Sequence, residues 1–386
     1  MSEVTNVQIK KNVNFSDIEK LATKILDAEE VKLQVPNALS YSGGFGLEGA
    51  ALQLLATWFR SSRSHVLHTA ISNLTTDGFE ALCNSLFGLC ALRLSDSILL
   101  AGKSEVGLSD ALTSAIPIFK HIRSEDFNQA FKGMYLTIPA IKSPVIKGGK
   151  DREFDSPLYN NNTVVGAKKF HRLTLKALEA VVPKHSQIKS SVVLHLSEIL
   201  RELFTNTHRH ARSDLHGTPL SKNFRGIIFN ALSMDTRRFD EIAESNGRDL
   251  AMFLIDWRPS ERRLFKAIDI TVVDSGPGYA RRWMKVDKEQ LTIAMETEAV
   301  VECFKKYHST DSADSSGSGL SNVLADLRLL KGWFRLRTGR VLVEKSFYNQ
   351  RGGETIEPSD IKGMENFMEG VVFNIVIPFE SLFGDK

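Results

Sequence analysis

Three residues spaced four apart, Glu202, Asn206 and His210, stand in the run SSVVLHLSEILRELFTNTHRHARSD. Positions four apart share one face of a helix, so the three form a polar line. Leu196, Ile199, Leu200, Leu203, Phe204, Thr207 and Ala211 supply an apolar surface around it. A carboxylate on such a line can take a proton, an amide oxygen can ligate a hard cation, and an imidazole can meet an anion. A polar stripe facing water on a surface helix gives the same pattern, so the stripe alone decides nothing.

Two glycine-bearing runs lie downstream. AIDITVVDSGPGYA (267–280) delivers Asp274 at the end of an apolar strand, with Gly276 and Gly278 directly after it. Glycines let the backbone turn tightly and approach a ligand. An Asp beside them can accept a hydrogen bond from an amino group such as adenine N6. SADSSGSGLSNVLADLRLLKG (312–332) runs from small residues through Ser316, Gly317, Ser318, Gly319 and Leu320 into a helix. Unpaired N–H groups at a helix start attract phosphate oxygens. An ordinary strand-closing turn and a capped Ser/Gly loop are the simpler readings of each run by itself.

In their order these runs resemble the Bergerat-type (GHKL) ATPase superfamily, which includes gyrase B, Hsp90, histidine kinases and MutL. ELFTNTHRHA is similar to its N box at Glu202, Asn206 and His210, and DSGPG to its D-x-G-x-G box at Asp274, Gly276 and Gly278. GSGLSNV is similar to its second glycine box, and KGWFRLRTG followed by GVVFNIVIP to its last strands, so the likeness covers roughly 165–380. The resemblance implies an α/β (α+β) two-layer sandwich with helices on one face of a mixed sheet, and ATP and Mg²⁺ as cofactors. It implies Asn206 as the Mg²⁺ ligand, Asp274 with its glycines at the adenine, and Ser316, Gly317, Ser318, Gly319 and Leu320 around the phosphates. Glu202 would be the general base toward water; His210 would contact phosphate or pack at the helix end.

The chain also departs from the family. The spacing from Asn206 to Asp274 leaves room for an insertion near 213–250, and 279–316 would be a mobile lid. The Thr expected after the last strand's Gly is missing, Gly370 being followed by Val371. Neither His121 nor His171 sits on a dimerising hairpin that would suit a phosphoacceptor. No transducer segment follows the last strand, so the expected function is a stand-alone Mg-dependent ATPase that drives or gates a protein partner. A serine/threonine kinase of the anti-sigma type and a non-enzymatic ATP-gated scaffold stay open.

The elements that must position these residues follow from periodicity. Helices are expected over 170–182, 191–211, 299–308 and 321–330, and strands over 225–234, 251–257 and 265–274, with closing strands near the end. Upstream, a helix over 16–29, a strand over 31–35, and helices over 47–59 and 79–92 predict a smaller α/β domain spanning 1–141, STAS-like in outline. Pro, Gly, Asn and charge concentrate at 142–166, which reads as a linker or exposed loop before an ATPase-like domain over 167–386. GGFGLEG lies too far from its strand for a dinucleotide fingerprint and reads as a glycine-rich turn starting a packed helix. SILLAGKSE has Ser97 where a Walker A needs Gly.

Composition narrows the field further. Among 386 residues, 49 basic and 46 acidic side chains give a formal charge of +3, so nucleic acid is not an expected partner. Cys83, Cys90 and Cys303 lack metal-site spacing, and His65 and His68 lack completing ligands. The Arg pairs at 237–238, 262–263 and 281–282 read as solvated surface. No signal-peptide core and no long apolar stretch is present, so a soluble cytoplasmic protein without membrane association is expected. A protein partner is expected, and a homodimer is an open option.

Overall fold

The computed structural model describes residues 4–40, 44–72, 76–101, 104–131, 133–142, 153–245, 248–258, 264–305, 319–348 and 355–383. Strand–helix alternation builds a first sheet: β1 (Val4–Gln8), α1 (Phe15–Leu26), β2 (Glu30–Val35), α2 (Leu47–Ser61) and β3 (Val66–Thr69). Next come α3 (Thr76–Cys83), α4 (Leu86–Leu94), β4 (Ser97–Leu99) and β5 (Glu105–Val106). The order is β1-β2-β3-β4-β5, parallel through β4 and antiparallel at β5. Val7, Leu33, Leu67 and Ile98 point into the core, while Asn6, Gln8 and Lys32 alternate with them and face solvent. The single helix expected over 79–92 is two helices. Ser85 ends the first, and its hydroxyl accepts the Gly88 N–H at 3.0 Å to cap the second.

Three short helices, α5 (Leu108–Ala111), α6 (Ala115–Arg123) and α7 (Phe127–Ala130), lead to β6 (Tyr135–Lys142). This strand lies across the expected boundary at 141, yet it pairs antiparallel along β9 in the second sheet. It forms the sheet's edge, where Pro139, which has no N–H to donate, is tolerated. The remaining elements are β7 (Tyr159–Asn160), β8 (Thr163–Val164), α8 (Ala167–Val181), α9 (Ser190–His210), β9 (Asn223–Met234), α10 (Thr236–Ser245) and α11 (Arg248–Asp256). They continue with β10 (Phe265–Asp274), α12 (Tyr279–Met284), α13 (Ile293–Phe304), α14 (Gly319–Leu329), β11 (Trp333–Ser346), β12 (Ile361–Pro378) and α15 (Phe379–Phe383).

The second sheet runs β11-β12-β10-β9-β6, and each of these pairings is antiparallel, so it is not the mixed sheet expected. Period-two alternation sends Phe334, Leu336, Phe373 and Ile270 toward α8, α9 and α14. Asp269, Thr271 and Asn374 point to the other face, against α2. Helices therefore cover both faces rather than one. The first sheet, its helices and the second sheet share one continuous apolar core. Gln53 of α2 donates to the Arg337 and Gly370 carbonyls at 3.2 and 3.4 Å, and Gly46 at its N-terminus donates to Asp269 at 3.2 Å. The described part of the GGFGLEG run, Gly44–Gly49, thus starts a packed helix.

Two other expectations change. Residues 251–256 of the strand expected over 251–257 are helical within α11, because Leu250, Phe253 and Leu254 pack at helical spacing against Trp333 and Phe265. The described part of 142–166 is no exposed linker: Leu158 and Tyr159 are buried, and buried Glu153 pairs with Arg212 and Arg225. Residues 143–152 lie outside the described residues.

Candidate functional site

Helix α9 buries Val193, Leu196, Leu200, Leu203 and Phe204 against the sheet, each contributing roughly 1.5–3 kcal/mol on burial. That stripe fixes the helix's rotation and leaves Glu202, Asn206 and His210 half-buried along its edge. His210 is the last helical residue. The carbonyls at this end are satisfied by Arg282 of α12, which donates to the His210 carbonyl at 2.9 and 3.1 Å, the Ser213 carbonyl at 3.1 Å and the Asp214 carbonyl at 2.9 Å. The Arg pair at 281–282 is therefore not solvated surface; Arg281 pairs with buried Glu369 at 3.2 Å.

Strand β10 carries Asp274 to the same end of the helix layer. Its Oδ1 accepts the Gly276 N–H at 2.8 Å, and burial pushes its carboxyl up to about 7 against that hydrogen bond and the nearby Arg225. The glycines after it are required by contact. A Cβ on Gly276 would lie 2.5 Å from the Ala211 Cα, one residue beyond His210. Gly278 has φ +83°, and a Cβ there would lie 2.8 Å from the Thr338 hydroxyl of β11.

The third segment arrives from α14. A Cβ on Gly319, its first residue, would lie 2.8 Å from Oε2 of Glu202, so a larger residue here would have to displace that carboxylate. Leu320 follows, buried in the core. Ser316, Gly317 and Ser318 lie outside the described residues. Oε1 of Glu202 is held by the Arg201 guanidinium at 2.5 Å, leaving Oε2 toward Gly319.

The fold therefore gathers Glu202, Asn206, His210, Asp274, Gly276, Gly278, Gly319 and Leu320 around the C-terminal half of α9 and the end of β10. Long spacing between Asn206 and Asp274 is taken up by β9 and the α10–α11 pair. Of the expected lid, residues 279–305 are anchored: Glu296 is fully buried and binds Arg340 at 2.6 Å. Residues 306–316 lie outside the described residues.

Three residues beside the site escaped the motif reading. Thr338 is buried, accepts the Tyr279 N–H at 3.2 Å, and shares its sheet face with Phe334 and Leu336. Strand alternation in FRLRT marks it as the polar residue on that face. Arg201 and Arg282 carry no comparable signal. A separate group, His195 and Glu198 on α9 with Asp326 on α14, brings three ligand-type atoms within 4.8 Å of one another. His195 and Asp326 already pair at 2.9 Å and Glu198 is exposed, so the group accounts for itself as a link between helices.

Compared with known proteins, the chain matches no family model and no curated protein.

Proposed function

We propose that residues 167–386 form a Bergerat-type domain that binds ATP with Mg²⁺ and hydrolyses it. The observation that supports this most is the close approach of Gly319 to Glu202, together with that of Gly276 to the end of α9. Three segments far apart in sequence meet closely, Gly276 against the backbone of Ala211 and Gly319 against the end of the Glu202 side chain. A buried carboxyl, an amide and a glycine-started helix in one place suit an adenine, a hard cation and phosphates respectively.

In this reading Asp274 accepts from the adenine amino group, and Gly278 keeps the backbone open beside it. Asn206 offers its Oδ1 to Mg²⁺, an ion that prefers oxygen and retains water. Bound Mg²⁺ neutralises phosphate charge, which is where catalysis of phosphoryl transfer chiefly lies. Glu202 Oε2 takes the proton of the attacking water, while Arg201 on Oε1 fixes the plane of the carboxylate. Thr338, rather than the missing Thr after Gly370, supplies the hydroxyl beside the glycine turn.

Turnover gated by a protein partner is the corresponding biological role. The test is Mg²⁺-dependent phosphate release by the parent chain and by Glu202→Gln, with and without co-purifying proteins, alongside label transfer from γ-labelled ATP. Phosphate release lost in the Gln variant supports hydrolysis. Label on a partner Ser or Thr would favour the kinase reading, and equal, negligible turnover in both proteins the scaffold reading.

A further inference from the structure

Helix α2 is buried along most of its length, yet it carries Gln53, Thr57 and Arg60 at helical spacing on one face. Gln53 and Thr57 are themselves buried. Packing alone would be better served by leucine or valine at these positions, because a buried polar group costs free energy unless it is paired. The partners of all three converge on one feature.

Pairing of β12 with β11 steps from Thr338–Val371 to Gly339–Met368, so Glu369 and Gly370 bulge out of the ladder. The Thr57 hydroxyl accepts the Glu369 N–H at 3.0 Å and donates to the Gln53 carbonyl at 2.8 Å. Gln53 Nε2 donates to the Gly370 carbonyl at 3.4 Å and to the Arg337 carbonyl of β11 at 3.2 Å. Arg60 continues the row. It donates to the Lys222 carbonyl at 3.0 Å and, at 3.5 Å, to the carbonyl of Ser275, the residue directly after Asp274.

The other side of this bulge is the adenine end of the proposed nucleotide site. A Cβ on Gly370 would lie 2.1 Å from the Asp274 carbonyl oxygen, and one on Gly278 would lie 3.5 Å from the Gly370 carbonyl oxygen. The N–H of Val371, next along β12, acts on the Asp274 carboxyl and favours its ionised form. A small shift of the bulge therefore moves the carboxyl and the glycine turn together. Glu202, on α9, is held separately by Arg201.

We propose that Gln53 and Thr57 are positioning residues for the nucleotide site, holding Asp274 and Gly278 through the β12 bulge, so that the N-terminal layer sets the affinity for the adenine part. This inference rests on the reading of Asp274 as the adenine acceptor. Without the two polar side chains the bulge relaxes in the free protein, and part of the binding energy goes into restoring it.

The test compares Gln53→Met, Thr57→Val and Thr57→Ser in the full chain, by calorimetric titration with ATP and ADP in Mg²⁺ and by amide exchange without nucleotide. Met and Val keep most of the volume and lose the hydrogen bonds, whereas Ser keeps the hydroxyl. Gln53→Met and Thr57→Val weaken ATP and ADP alike by about tenfold. Their kcat at saturating ATP stays within about twofold of the parent. Thr57→Ser binds like the parent, the reverse of what a packing role predicts. Amides of residues 274–279 exchange faster in the Met and Val variants, a readout that needs no ligand. Parent-like affinity and exchange in folded Gln53→Met and Thr57→Val overturn the inference while the nucleotide reading stands. Equal losses in Thr57→Ser and Thr57→Val overturn it as well. Absence of ATP binding by the folded parent overturns the nucleotide reading and this inference with it.

Discussion

Two carboxyls, buried Asp274 and half-buried Glu202, have different tasks in the proposed reaction. Asp274 is pushed up to about 7 by burial, so in the free protein it holds a proton through mildly acidic pH. Its contribution to stability is fully present below the unfolded value of 3.8 and is lost as pH rises through about 7. In the proposed role nucleotide binding would run the other way, because adenine's amino group needs the ionised form. ATP affinity should therefore weaken by up to about tenfold per pH unit below neutrality and level off above it. Asp274→Asn should flatten that slope, and a slope that survives the substitution would assign it elsewhere. Glu202→Gln keeps size but cannot take a proton, so turnover should fall about 10²–10⁴-fold with ATP still bound. Parent-like rates in a single-turnover assay would remove Glu202 from the mechanism. The Glu–Asn–His stripe was legible from spacing alone, because four-residue intervals survive any context. The Arg201 partner was not, since adjacent helix residues do not face each other and only side-chain placement joins them.

Elements explain why the glycines differ in consequence. A Cβ at Gly319 meets the flexible end of Glu202, whereas one at Gly276 meets the α9 backbone at Ala211. Gly319→Ala should leave the melting temperature nearly unchanged while lowering turnover about tenfold or more, by displacing the carboxylate. Gly276→Ala should instead destabilise the fold by about 1–3 kcal/mol, because backbone has to move. Thermal melts and phosphate release on both variants check this pair, and the reverse ranking would refute the packing described. Strands and helices with strong periodicity were readable from sequence, including α9 and β10. The stretch 251–257 was not, because a short apolar run fits a buried strand or a helix equally until its packing partners are known. Strand β6 was hidden for another reason: its partner β9 lies some eighty residues on, and nothing local announces such a pairing.

Across the whole molecule, the N-terminal helices α1 and α2 pack directly on one face of the second sheet, opposite the face of the proposed nucleotide site. Composition suggested a polar linker between two domains, and polar residues are indeed there. Glu153 at that point is instead buried against Arg225, one ladder step across from Asp274. Buried pairing of charged residues leaves no compositional trace. No helix among the described residues is long and apolar enough to cross a membrane. The proposed function requires that this assembly hold ATP with Mg²⁺, and calorimetry of the full chain addresses that directly. The expected result is Mg²⁺-dependent ATP binding to the parent, weakened about ten- to a hundredfold by Asp274→Asn and deprived of its Mg²⁺ dependence by Asn206→Ala. Absence of ATP binding by the folded parent, or the same Mg²⁺-dependent affinity in all three proteins, would contradict it.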